Sequence, residues 1–426
     1  MNQFLLTSLS VVEQGIHGVS LNVLSKDLIA DPYPYYNRVR NKAPLYYSMA
    51  IRAWWVTSFD LVQEVLVDKR FGVDVRRYEK RWKKILANLD EERRERFDNP
   101  SMLGLDPPDH SRIRRLASKG FLHKYIQSLE PRIKDIVDFC LQRIDNGPMF
   151  DIVESLAKPL PAIVIAEMMG LPASDHEQFQ AWSEDLIVAT STRETEKIEK
   201  GQLAARQLIN YFRKIIKERR GNPGSDLIGQ LILAEDAGDK LTEMELYNTC
   251  NLLLVAGHET TTRLIGNGVY LLLQSPDLWA QLREDPSKIP NAVEEMLRFE
   301  PPVQATQRFV TQDMEFHGKK LKRGDVILIG IAAGNRDPNT SDNPDVFDIW
   351  REKVNQVSFG YGIHLCIGAS LARMEAKVAF ETLLEKFPHM ALVDENPRWG
   401  DNAFFRGHEK LDVYKESSQG ATADLS

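Results

Sequence analysis

The sequence contains few cysteines, no long apolar run and no excess of positive charge. Its three cysteines, Cys140, Cys250 and Cys366, are an odd number scattered over 426 residues, which does not suit a disulfide framework. We therefore expect a reducing, cytoplasmic environment. No stretch reaches the ~18 consecutive apolar residues that a membrane span needs, so no membrane anchor is expected. The apolar start Phe4–Val12 has no preceding Lys or Arg, and we expect it to pack on the body rather than to act as a leader.

Charge and composition narrow the function classes further. A net charge of -7 and a pI near 5.8 disfavour nucleic acid as a partner. The hydrophobic fraction of 43% with 27% charged residues is typical of a globular protein. Neither a repeat nor a Gly/Ser linker divides the chain, so we predict one domain over 1–415, a flexible tail over 416–426, and a monomer.

Hydrophobic periodicity predicts a fold that is mostly α with a minor β region. Apolar residues recur at helical spacing in 130–145, 203–219 and 370–387, and a longer helix is predicted from Thr242 to about Gln274. That helix would span ~45 Å at 1.5 Å per residue. The predicted strands are few: Ala53–Thr57, Arg308–Phe316 and Val326–Ile331. Gly318 suits the turn of a hairpin between Asp313 and Gly324.

One loop carries most of the functional information. Cys366 lies in the segment Phe359-Gly-Tyr-Gly-Ile-His-Leu-Cys-Ile-Gly368, in which three glycines surround a single thiol. Glycine supplies backbone freedom rather than packed volume, so such a loop can hold one sulfur rigidly with N–H groups directed at it. A thiolate held in this way can be the sole protein ligand of an iron. The structural alternative is an inert cysteine in a tight turn.

The pattern F-x-x-G-x-x-x-C-x-G resembles the haem-binding loop of the cytochromes P450. The resemblance extends from about Asp31 to Tyr414 and implies the P450 fold, with a long central helix over haem b. It implies that Cys366 ligates the iron and that Phe359 belongs to the cofactor site. It also implies a monooxygenase of the soluble bacterial type, which binds O2, receives single electrons from a separate ferredoxin or flavodoxin, and oxidises an apolar organic substrate.

A polar run interrupts the long predicted helix. Thr can bond a backbone carbonyl one turn back and open a local groove, and small residues allow close approach to the backbone. The segment Ala256-Gly-His-Glu-Thr-Thr261 is similar to the P450 oxygen-binding motif. By that resemblance Ala256 and Gly257 face the cofactor, Thr260 binds the activated oxygen, and Glu259 relays protons. A zinc HExxH motif fails because residue 262 is Thr. A merely structural kink is the alternative.

The resemblance also assigns residues to the edge of the haem. His110 and Arg114, which share a helix face at i,i+4, would bind the propionates together with Arg308 and His364. On a different face, Arg112, Arg115 and Lys119 form a basic stripe. This stripe is either a solvated helix face or a docking patch for an acidic electron donor.

A further pair, Glu295 and Arg298, matches the E-x-x-R of the P450 K helix, a structural element behind the cysteine loop. The third arginine that usually completes this network is replaced by Val346, and Arg351 is the candidate substitute.

The segments that would face substrate are mainly apolar and predict an apolar cavity. They are the loop after Phe71, Trp182–Ser191, Leu253–Ala256, Val303–Thr306 and Phe404–Phe405. The charged loop from Arg76 to Arg96 would either hold a substrate carboxylate or form a solvated amphipathic helix. Two rival functions stay open at this point: a haem-thiolate peroxygenase, and a haem-binding protein without turnover.

Overall fold

A computed structural model of the chain describes Glu13, Gly15 and residues 19–21, 25–87, 89–192, 194–236 and 241–415. The predicted N-terminal packing segment and the predicted tail lie outside these residues. The helices are α1 (Lys26–Ala30), α2 (Tyr33–Lys42), α3 (Phe59–Val67), α4 (Glu79–Leu86), α5 (Glu91–Asp98), α6 (Asp109–Ala117), α7 (His123–Ser128), α8 (Glu130–Gln142), α9 (Pro159–Met168), α10 (His176–Ser191), α11 (Thr195–Arg219), α12 (Leu227–Asp236), α13 (Glu243–Leu273), α14 (Pro276–Glu284), α15 (Ile289–Phe299), α16 (Ile331–Asn335) and α17 (Ala369–Lys386).

The strands form a minor part, as predicted. They are β1 (Leu45–Ser48), β2 (Ala53–Val56), β3 (Phe71–Gly72), β4 (Met149–Asp151), β5 (Ala305–Val310), β6 (Met314–Phe316), β7 (Lys319–Leu321), β8 (Val326–Gly330), β9 (Ala391–Leu392) and β10 (Asp412–Tyr414). The main sheet has the order β1-β2-β8-β5-β3, in which β2 and β8 are parallel and the other neighbours are antiparallel. A smaller sheet has the order β4-β10-β9, and β6 pairs with β7.

The predicted strand Arg308–Phe316 is wrong as a single element. The structure divides it because β5 pairs with β8, whereas β6 pairs with β7. Between them, the Thr311 N–H donates to the Arg70 carbonyl at 2.9 Å and leaves the ladder. The predicted hairpin is present, with Gly318 at a φ of 71° in its turn. Glycine suits this position because it enters the left-handed region without steric cost.

The long helix α13 agrees with its predicted bounds to within a residue. Thr242 begins it with a capping box: the Thr242 hydroxyl accepts from the Glu245 N–H at 3.2 Å, and the Glu245 carboxylate accepts from the Thr242 N–H at 2.8 Å. Gln274 is its C-cap residue. Apolar side chains of α13 belong to two of the large core clusters, so this helix fixes the position of its polar middle section.

The pair Glu295 and Arg298 is completely buried. The Arg298 guanidinium makes two bonds of 2.7 Å to the Glu295 carboxylate and also donates to backbone carbonyls, including that of Val346 at 3.1 Å. Arg351 is the third member, with its Nε 3.3 Å from Glu295 Oε2. Val346 takes part in this network through its carbonyl, and the residue is 55% exposed. The network thus ties α15 to the segment that precedes the cysteine loop.

Cys140 and Cys250 are free and buried. Burial raises the pKa of the Cys140 thiol to about 11 and that of Cys250 to about 12, so both act as apolar packing residues. Among the described residues, no helix is both long enough and apolar enough to span a bilayer.

Candidate functional site

The cysteine loop is held by its own backbone. The Cys366 N–H donates to the Phe359 carbonyl at 2.8 Å, and the Gly360 N–H donates to the Val357 carbonyl at 2.8 Å. Gly360 and Gly362 have φ values of 73° and 70°, which only glycine adopts readily. A Cβ at Gly362 would lie 3.0 Å from the Leu66 carbonyl oxygen of α3. The glycines are therefore needed both for the turn and for its contact with α3.

The surroundings of Cys366 have opposing effects on the pKa of its thiol. The side chain retains accessible surface, yet desolvation by the surrounding protein raises the pKa of its thiol. The Gly368 N–H, and then the charges of Arg114 and Arg373, favour the thiolate. Arg373 is positioned over the Phe359 ring, 4.4 Å from its centroid. A cation bound at the sulfur would complete the stabilisation of the anionic form.

His110 and His364 are brought together although 254 positions separate them in the chain. Their ring centroids are 4.2 Å apart. Both ring nitrogens of His110 and the Nε2 of His364 are buried and have no hydrogen-bond partner among the described residues. Desolvation lowers the pKa of His110, and it lowers that of His364 to about 3. Both rings are therefore neutral at pH 7 and can each donate one N–H to an acceptor.

Arg308 and Arg114 add positive charge beside the two imidazoles. Arg308 is 5% exposed and donates to the Gln307 carbonyl, but it forms no ion pair with any described carboxylate. Burial lowers the pKa of its guanidinium to about 10, while Asp106 acts in the other direction. Arg114 donates one N–H to the Leu365 carbonyl of the cysteine loop. The structure thus brings together all four predicted propionate residues around Cys366.

This donor set fits a flat cofactor with an anionic edge. Unpartnered buried imidazoles and an uncompensated buried guanidinium cost free energy unless an acceptor satisfies them. Carboxylates would satisfy all of them. Together with one rigid thiol, these residues suit an iron porphyrin that carries two propionates.

The predicted polar motif lies in the middle of α13. Ala256 is exposed and Thr260 is half-buried one turn later. The Thr260 hydroxyl donates to the Ala256 carbonyl at 3.1 Å, and the Thr261 hydroxyl donates to the Gly257 carbonyl at 3.4 Å. The back-bonding that the sequence predicts is present, but the helix continues without interruption.

Gly257 lies where another helix packs on α13, and its predicted place beside the cofactor stays a prediction. A Cβ at this position would lie 3.1 Å from Cγ1 of Ile165. The glycine therefore allows α9 to approach α13 closely, and the face that remains accessible is that of Ala256.

Glu259 lies in the protein interior and is 5% exposed. Its Oε1 forms an ion pair with Arg263, one turn later. Its Oε2 is 4.0 Å from Nε2 of the neighbouring His258. The carboxylate is thus held in place by a cation rather than open to solvent.

Sequence reasoning missed Glu375, on α17. This carboxyl group is 1% exposed, and both of its oxygens lack a hydrogen-bond partner among the described residues. Desolvation raises its pKa to about 8, although the nearby Thr261 hydroxyl acts in the other direction. The signal was present in the sequence, because Glu375 interrupts the apolar face of a periodic helix.

One residue of the basic stripe, Arg112, forms ion pairs within the protein. Arg112 binds Glu245 at 2.6 Å and Asp109 at 3.3 Å, which anchors α6 to the start of α13. The charged loop contains α4 and α5, and its Arg76 and Arg77 pair with Asp74 and Asp106. These contacts favour the solvated-helix interpretation of both features.

Two of the predicted substrate-facing segments meet. Val303 and Phe405 form an antiparallel bridge, and the Gln304 N–H donates to the Phe404 carbonyl at 2.9 Å. The remaining substrate-facing segments stay predictions.

Comparison with known proteins gives a consistent result. A family model described as Cytochrome P450 matches residues 33–406. The Putative cytochrome P450 YjiB of Bacillus subtilis (strain 168) is 38% identical over 389 residues, covering 90% of this chain and 94% of the relative.

Solved structures agree with it. The structure of P450BioI with an acyl carrier protein ligated to hexadec-9Z-enoic acid has a TM-score of 0.83 at 36% identity, covering 92% of this chain and 100% of the other. CYP109E1 from Bacillus megaterium with testosterone has a TM-score of 0.83 at 34% identity, with coverage of 92% and 100%.

Proposed function

Because this chain belongs to the cytochrome P450 family and is a haem b monooxygenase of organic substrates, we propose that Cys366 is the thiolate ligand of its iron. His110, Arg114, Arg308 and His364 would hold the propionates, with Phe359 beside the sulfur. The observation that supports this most directly is a set of buried imidazole nitrogens that have no hydrogen-bond partner within the described part of the chain, beside the cysteine loop and Arg308, which forms no ion pair there.

When bound, the haem supplies the binding and activation of O2 and the transfer of one oxygen atom to the substrate. The protein has to deliver protons there while excluding bulk water. The Thr260 hydroxyl donates to the Ala256 carbonyl at 3.1 Å, so its oxygen remains able to accept a hydrogen bond from a proton donor. Thr260 would position a proton there, and Glu259 would resupply it.

Substrate class follows from the apolar segments around this site. Two of the similar structures are complexes, one with an acyl carrier protein ligated to hexadec-9Z-enoic acid and one with testosterone. For this chain we propose an apolar molecule of similar size, such as a fatty acyl chain or a steroid. A separate ferredoxin or flavodoxin would donate the electrons to a monomeric, cytoplasmic enzyme.

Glu259 and Thr260 favour this proposal over the two rivals. A peroxygenase receives its oxygen from hydrogen peroxide and does not require a relay of protons to O2. A haem carrier would need the cysteine loop but would have no use for a buried acid beside an alcohol in α13, where both cost stability.

The test is the stoichiometry of electrons and product in the ferredoxin-driven reaction, with a substrate chosen by its low-to-high-spin shift. Thr260→Ala should continue to consume electrons, release hydrogen peroxide, and lower product yield about tenfold or more. Thr249→Ala, a buried threonine on the same helix, is the matched control and should remain coupled. Unchanged coupling in Thr260→Ala would remove its proposed role.

A further inference from the structure

A cleft opens on one side of the molecule. It has a volume of ≈ 400 Å³ and lies between α8, the π-helical turn Val153–Ala157, α9 and α10. Glu154, Glu177 and Glu184 line it. Lys158, at the base of α9, forms ion pairs with Glu154 and, at 3.0 Å, with Glu184. The Glu154 and Glu184 side chains are 56% and 39% exposed, whereas that of Lys158 is 18% exposed, so these pairs extend from solvent into the protein.

His258 is buried on α13, and two groups of the cleft region, Lys158 and Glu184, lie close enough for their charges to act on it. Its side chain is 1% exposed, and its Nδ1 is 3.5 Å from the Leu254 carbonyl oxygen. That contact favours the tautomer with the proton on Nδ1, which leaves a lone pair on Nε2. Nε2 has no hydrogen-bond partner among the described residues and lies 4.0 Å from Oε2 of Glu259. A small rotation of the imidazole ring would bring this separation to hydrogen-bond distance.

Two further buried hydroxyls lack partners in the described part of the chain, those of Thr262 and Ser183. Thr262 shares a helix face with His258 at i,i+4, and Ser183 precedes Glu184 on α10. α13 packs closely against two of the elements that border the cleft. Gly257 contacts Ile165 of α9, and Gly266 is nearest to Val153 of the π-helical turn.

The charged groups that act on His258 lie both on α13 and on the elements packed against it. They are Glu259 on its own helix, Glu184 on α10, and Lys158 at the base of α9. Burial lowers the pKa of His258, and the two carboxylates oppose this effect. The imidazole is therefore mostly neutral at pH 7 and ready to accept a proton.

We propose that protons enter through this cleft and reach Glu259 by way of His258. A water in the cleft gives a proton to Nε2 of His258, which becomes an imidazolium. Nε2 then passes that proton to the Glu259 carboxylate and returns to neutral imidazole, and the water that lost the proton is restored from bulk solvent. His258 acts through Glu259, so it is a positioning and relay residue, and the inference rests on the proposed role of Glu259.

A purely structural role for His258 explains less. An unpartnered nitrogen alone does not indicate a relay, because Nε2 of His408 also lacks a hydrogen-bond partner among the described residues. What distinguishes His258 is that its unpartnered nitrogen lies 4.0 Å from a carboxylate oxygen of Glu259, and that the charges of Lys158 and Glu184 act on its ring.

The test compares His258→Gln and His258→Phe with wild type in product per electron pair and in the solvent deuterium isotope effect on product formation. Both variants should lower coupling about tenfold or more and enlarge the isotope effect. Glu184→Gln should give a smaller change in the same direction. His408→Phe, another buried histidine, which stacks on Trp399 at 3.9 Å, is the control and should match wild type.

A readout independent of turnover is the ¹⁵N NMR spectrum of the His258 imidazole in the reduced, carbon monoxide-bound protein. Glu259→Gln and Glu184→Gln should each shift the titration of this imidazole. Coupling and isotope effects that remain at wild-type values in both His258 variants would overturn the proposal, as would an imidazole that does not respond to either carboxylate. Failure of the proposed function would look different, because Glu259→Gln would then also leave coupling unchanged.

Discussion

Buried ionisable side chains are concentrated around the site. Glu259, Glu375, His110 and Arg308 are each 5% exposed or less. Burial of such groups costs stability, and this cost is found mainly where chemistry requires it. Of the two carboxyl groups in this set, Glu259 is paired with Arg263, whereas Glu375 forms no ion pair with any described cation, so its protonation should control stability.

The protonation of Glu375 should be visible in the pH dependence of the free energy of unfolding. Its pKa is raised from 4.5 to about 8 in the folded protein, so between these values the folded state retains a proton that the unfolded state has lost. Stability should therefore fall as pH rises from 5 to 8, by up to about 1.4 kcal/mol per pH unit. Glu375→Gln should flatten this slope in urea unfolding followed by circular dichroism.

The control for that measurement is Glu385→Gln, on the same helix with its side chain 70% exposed, which should retain the wild-type slope. An unchanged slope in Glu375→Gln would show that this carboxyl group is ionised in the folded state.

Individual site residues were predictable to different degrees. Cys366, His110 and His364 could be placed from motifs, because each motif fixes a residue on a short local element. The ion pair of Glu259 with Arg263 was also within reach of helical spacing. The contact of Gly257 with Ile165 was not, because it depends on how two distant helices pack.

Helices and strands whose patterns are local were predicted well. The capping residue Thr242 and the length of α13 follow from sequence. The division of Arg308–Phe316 into β5 and β6 does not, because strand partners are chosen by tertiary pairing rather than by alternation.

At the scale of structural elements, the ion-pair network of Glu295, Arg298 and Arg351 should contribute strongly to stability. Arg351→Met removes one of the two cations from the buried Glu295 carboxylate, and we expect a loss of about 3 kcal/mol in the free energy of unfolding. Arg398→Met, which breaks an exposed pair with Asp401, should cost less than about 1 kcal/mol. Equal losses in urea unfolding would contradict the assignment of Arg351 as the third member.

At the scale of the whole molecule, the proposed haem site draws its residues from distant parts of the chain. The cysteine loop, α6, β5 and the centre of α13 each contribute residues, and the sheet and the ion-pair network hold them in register. The family assignment extends over most of the chain, so the site is a property of the complete fold rather than of a local motif.

The central claim is that the Cys366 sulfur ligates a haem iron. The direct test is the carbon monoxide difference spectrum of the reduced protein, recorded for wild type and for Cys366→Ser. We predict that wild type shows the Soret band typical of thiolate ligation and that Cys366→Ser loses it. A band typical of a histidine ligand in wild type, or an unaltered spectrum in Cys366→Ser, would contradict the account.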